Sequence, residues 1–140
     1  MNQVKKITRI VLIFLTGFLA LTTFLGGIAL IANWIAMPVA MLQGSPFSSY
    51  LIPGLALSII VGGSALLATI LLIRRSKFGL LFATTAGIII MFFEFVEVLV
   101  IGSPAGVART LQIIYFGLGT LITIAALGSW FIELLNQKES

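Results

Sequence analysis

A chain of 140 residues with 60% hydrophobic and 9% charged side chains has too few charges to cover a soluble domain, which is ordinarily about 25% charged. It contains no Cys and no His, which excludes disulfides, thiolate metal centres and imidazole-based ligation or base catalysis. The net charge of +4 sits in basic clusters at the ends of apolar runs, not on a polar folded surface, so it is read as a membrane topology signal and not as a nucleic-acid footprint.

Four apolar runs follow in chain order, at about 7–35, 51–73, 78–101 and 111–132. Each reaches the roughly 20 residues needed to cross hydrocarbon. With no water to satisfy the backbone there, each is expected to be an α-helix. The expected fold is therefore all-α. It is a single transmembrane domain over residues 1–140, an integral membrane four-helix bundle of antiparallel hairpins.

The first span is preceded by Lys5, Lys6 and Arg9. Its apolar run is far longer than the roughly 7–15 residues of a signal-peptide core, and no clear small-residue cleavage site follows. It is therefore read as a retained span. The outer loop 36–50 carries no charge, and Trp34 and Tyr50 flank it as interfacial aromatics do. Ser48 or Ser49 is placed to cap the second span, with Pro53 in its tolerant first turn. The inner loop 74–77, Arg74-Arg75-Ser76-Lys77, is so short that spans two and three must be antiparallel neighbours. The outer loop 102–110 contains Gly102-Ser103-Pro104, matching Gly44-Ser45-Pro46 in the first outer loop. Little else aligns between the halves, so both are read as ordinary turn residues.

Lipid is as apolar as Leu, so spans associate through small and polar residues at spacings of three and four. Such stripes are Thr16, Thr23, Gly27 and Trp34 in the first span and Ser58, Gly62, Ala65 and Thr69 in the second. In the third they are Ala83, Gly87, Ile90, Glu94 and Glu97, and in the fourth Arg109, Gln112, Phe116, Thr120 and Thr123. Gly27, Ser58, Gly62, Ala83, Gly87 and Thr123 are the principal packing candidates. Orientation follows from Lys5, Lys6, Arg9, Arg74, Arg75, Lys77 and Lys138 on one side against Arg109 on the other. The positive-inside rule puts the larger group, and both termini, in the cytoplasm.

Glu94 and Glu97 are the one chemically pointed feature. Counting from the span centre near Ile89 or Ile90, they lie roughly 7 and 11 Å toward the outer side. An ionised acid at a helix centre costs about 2.5–3.5 kcal/mol to insert, so the pair must face protein or water. A Glu97–Arg109 ion pair with Gln112 near Glu94 would make it a purely structural polar cluster that fixes helix register. Alternatively, two carboxylates one turn apart bind a proton, a cation or a small amine-bearing solute, as intramembrane acids do along transport pathways. Nothing else in the chain completes a ligand set for a hard cation, so neither a metal site nor a cofactor is expected. Enzymatic acid–base chemistry would have to rest on the glutamates alone, and the chain is not read as an enzyme.

The segment from Gly44 to Gly54, Gly-Ser-Pro-Phe-Ser-Ser-Tyr-Leu-Ile-Pro-Gly, resembles a recurrent stretch in small, mostly uncharacterised four-helix membrane proteins of prokaryotes. The resemblance continues through Gly62-Gly63, the basic inner loop and the glutamates. It implies the four-helix architecture and a prokaryotic cytoplasmic (inner) membrane, and no activity. Two functions are carried forward. One is binding or transport at the carboxylate pair, in a homo-oligomer. The other is a non-catalytic accessory or scaffold subunit of a membrane complex. The partners expected are the lipid bilayer and a second copy or a membrane protein, with no nucleic acid.

Overall fold

Four helices carry the chain in the computed structural model, which describes residues 2–32, 51–102 and 106–139. They are α1 (Asn2–Ile31), α2 (Leu51–Ile73), α3 (Gly79–Ile101) and α4 (Val107–Glu139). All four are long and apolar enough to cross a membrane, and no strand occurs among the described residues. Trp34, Ser48, Ser49, Tyr50 and the two Ser-Pro turns lie outside the described residues.

The outer helices are longer than their apolar runs. α1 and α4 have 30 and 33 residues, or about 45 and 50 Å at 1.5 Å per residue. A hydrocarbon core is about 30 Å thick, so polar turns extend past it. Lys5 near the start of α1 meets Glu133 near the end of α4 at 3.5 Å, so these two ends lie together.

Glycines set the closest seams. In α1 and α2, Gly27 and Gly54 touch backbone to backbone: a Cβ on Gly54 would lie 2.8 Å from the Gly27 carbonyl oxygen. The seam continues as Ser58 donates to the Phe24 carbonyl at 3.1 Å and Thr69 donates to Thr16 Oγ1 at 2.9 Å. In α3 and α4, Gly87 and Gly119 make the same reciprocal approach: a Cβ on Gly119 would lie 2.8 Å from the Gly87 oxygen and 2.6 Å from Ile90 Cγ2. Such contacts need small residues because association in lipid rests on close packing. Leu12, Leu19, Val61, Ile90 and Ile122 fill the fully buried centre. Phe14, Phe92, Leu99 and Ile113 stand outward, as lipid-facing side chains would.

Two features depart from the sequence reading. The first is that α2 is not a uniform α-helix, because Ala56–Val61 forms a π segment between α-helical Leu51–Leu55 and Gly62–Ile73. Residues four apart overshoot a 3.6-residue turn, and the wider π turn offsets that drift. Gly54, Ser58 and Gly62 are all buried as a result.

The second is the inward face of α4, which is rotated from the expected stripe. Gln112, Leu118, Gly119, Ile122 and Ala126 are buried, whereas Arg109 and Phe116 are exposed. Thr120 and Thr123 are half-buried. Backbone approach at Gly119 selects this face. Thr120 needs no partner helix, since its hydroxyl donates to the Phe116 carbonyl at 2.8 Å, a local bond that satisfies it in any environment.

The inner link begins with a Schellman turn. Ser76 N–H donates to the Leu71 carbonyl at 2.9 Å and Arg75 N–H to that of Leu72 at 3.2 Å. This motif needs a left-handed residue, usually Gly, yet Arg75 occupies it with φ 56.

Candidate functional site

The costly residue of α3 lies on its inward face. Ala83, Gly87, Ile90 and Glu94 follow one another along the helix and are all buried. Glu94 is only 4% exposed, which removes its carboxyl from lipid. Its Oε2 is buried and has no hydrogen-bond partner among the described residues. On the same helix Glu97 is half-buried, one turn on.

The α3–α4 seam brings Gln112 and Tyr115 into the same neighbourhood. Gly87 opposes Gly119 and Thr123, and Met91 packs against both. Continuing that register toward the end of α3 carries Glu94 to the level of Gln112 and Tyr115. Gln112 is 5% exposed and donates through Nε2 to the Gly102 carbonyl at 3.0 Å. Gly102 ends α3 at φ 74, a conformation that glycine adopts without penalty. The amide nitrogen is thereby fixed, and its oxygen, Oε1, is left buried without a partner among the described residues. Tyr115, one turn on from Gln112, is half-buried.

The four expected site residues thus divide. Glu94 and Gln112 are buried and Glu97 is half-buried. Arg109 is exposed on the first turn of α4. Of the packing candidates, Gly27, Ser58, Gly62, Ala83 and Gly87 are buried and Thr123 is half-buried. Thr123 back-bonds to the Gly119 carbonyl at 2.7 Å.

Sequence reasoning missed Tyr115 and the role of Gly102. Tyr115 is one turn from Gln112, and it is a tyrosine within a span instead of at an interface, which is itself a signal. Gly102 gave no such signal, because its part depends on how the turn aims its carbonyl.

No group of three or more potential metal-ligating residues occurs among the described residues. Set against known protein families, curated proteins and solved structures, the chain has no match.

Proposed function

We propose that the chain is a multi-pass protein of a prokaryotic inner membrane, built as two antiparallel hairpins with both termini cytoplasmic. We further propose that it binds or conducts a proton, a cation or a small amine-bearing solute at Glu94 and Glu97. The observation that carries this reading is a surplus of buried acceptors. Glu94 Oε2 and Gln112 Oε1 are both enclosed without a donor among the described residues. An unsatisfied buried acceptor costs about 1–3 kcal/mol. A proton or an ammonium group supplies donors, and a small cation supplies charge; an anion supplies neither. The site thus selects by sign and by hydrogen-bond polarity.

The test is reconstitution of the full chain in liposomes, with ammonium- or proton-driven flux followed across a pH series. Glu94→Gln should abolish the pH-dependent component. Flux that is identical in wild type and variant at every pH would refute the assignment.

A second reading, self-association or docking on a membrane partner, has its own observation. Gly117 is exposed on α4, with nothing within 4 Å of where a Cβ would be. It lines a groove of about 570 Å³ with Phe18, Ile113 and Leu121. A small residue on an outward face is what close approach by another helix requires.

A further inference from the structure

At the opposite end of the bundle from Gln112 and Gly102, a cavity of about 480 Å³ opens between the start of α1, the α2–α3 link and the end of α4. Four cations line it, Lys5, Lys6, Arg9 and Arg75, with a single carboxylate, Glu133. Glu133 is engaged by Lys5 at 3.5 Å. The lining therefore carries an excess of three positive charges. Leu72 and Leu80 give it an apolar wall and Ser129 adds a hydroxyl.

A positive-inside signal asks only that cations lie on the correct side. It does not ask that two separate elements bring them into one cavity. Two details go beyond that requirement. Arg9 Nε is buried without a hydrogen-bond partner among the described residues, a donor aimed at nothing the protein supplies. Arg75 occupies a left-handed position, φ 56, where Gly is the residue without strain. A left-handed arginine at the edge of a cavity points to use of that side chain.

We propose that this cavity binds a phosphate-bearing anion, with Arg9 and Arg75 as its principal ligands and Lys6 as a supporting charge. Guanidinium groups match phosphate oxygens in pairs. The site lies where α1 and α4 extend past the hydrocarbon, which is the depth of phospholipid headgroups. Basic pockets between spans at that depth are suited to anionic headgroups. The same chemistry accepts free phosphate. The cavity is distinct from the glutamate site: Leu80 and Glu94 are separated by about 21 Å of helix at 1.5 Å per residue.

The full chain purified in detergent is titrated with inorganic phosphate and, separately, with phosphatidylglycerol or phosphatidylcholine. Bound species are followed by native mass spectrometry, and folding by the thermal midpoint. Three variants are compared: Arg9→Gln, Arg75→Gly and Lys77→Gln. Arg75→Gly removes the guanidinium while relaxing the backbone, so it remains informative even if Arg9→Gln fails to fold. Lys77→Gln removes equal charge from the same link at a position outside the cavity. Saturable binding of phosphatidylglycerol over phosphatidylcholine is expected, weakened about tenfold by the arginine variants and not by Lys77→Gln. That result identifies a lipid source. Saturable phosphate binding with the same variant pattern and no lipid preference upholds the site with a soluble source. Equal weakening by all three variants, or no saturable binding of any probe, overturns the proposal.

Discussion

Glu94 and Gln112 show what a single polar side chain can dictate within a span. Each is enclosed, and each retains an acceptor oxygen without a donor among the described residues. Substituting Glu94→Gln keeps the shape and adds an amide donor that can reach Glu97. The expected result is a higher thermal midpoint, equivalent to about 1 kcal/mol, together with loss of the ligand response, since residues kept for function are commonly suboptimal for stability. Thermal unfolding in detergent reads the first effect and liposome flux the second. A lower midpoint would mean that the carboxyl is a structural necessity. The inward placement of Glu94 was legible in the sequence because the cost of exposing it to lipid leaves few alternatives. The neighbours that accommodate it were not. Gln112 is held by a backbone carbonyl, and that depends on the φ of Gly102.

At the scale of the helix, small residues and one irregular turn decide which faces meet. Gly117 and Gly119 are two positions apart on α4 and look alike in sequence. A Cβ on Gly119 would strike Ile90 and the Gly87 carbonyl, whereas one on Gly117 would meet nothing. Gly119→Ala should therefore cost about 2 kcal/mol through overpacking, and Gly117→Ala should be neutral or slightly stabilising through helix propensity. Equal effects in an unfolding assay would contradict the assigned face of α4. The π segment allows a similar contrast. Removing Ile60, an exposed residue within it, shortens the bulge and leaves both flanks of α2 facing α1. Removing Leu67, equally outward but within regular α-helix, rotates one flank by about 100°. The first deletion should yield folded protein by size-exclusion chromatography and the second should not. The seam residues Ser58, Gly62 and Ala65 could be picked out by spacing alone. The π turn that aligns them could not, because it answers to the contact with α1 and has no composition of its own. The α4 face was misjudged for a related reason. Polarity selected Phe116, Thr120 and Thr123 with Gln112, but threonines in lipid satisfy themselves on the preceding turn, and the glycine was the better guide.

Across the whole molecule, charge and packing make a joint claim about orientation. The start of α1, the α2–α3 link and the end of α4 line one basic cavity, so the ends that the charge pattern assigns to one side of the membrane also lie together. Seven of the eight Lys and Arg residues belong to that end by sequence, leaving Arg109 for the other. Moving such a cluster outward would oppose both the membrane potential and the attraction to anionic inner-leaflet lipids, the latter about 1 kcal/mol per basic residue near the surface. The chain contains no Cys, so single-cysteine labelling can test the orientation without background. Ser76→Cys in the link samples the basic end; Thr110→Cys, exposed at the start of α4, samples the other end. A membrane-impermeant maleimide added to intact cells should modify position 110 readily. Position 76 should react only after permeabilisation. Reaction of position 76 in intact cells with protection of position 110 would invert the topology. It would also move the glutamate site to the cytoplasmic half of the bilayer, so that any ligand would enter from the cell interior.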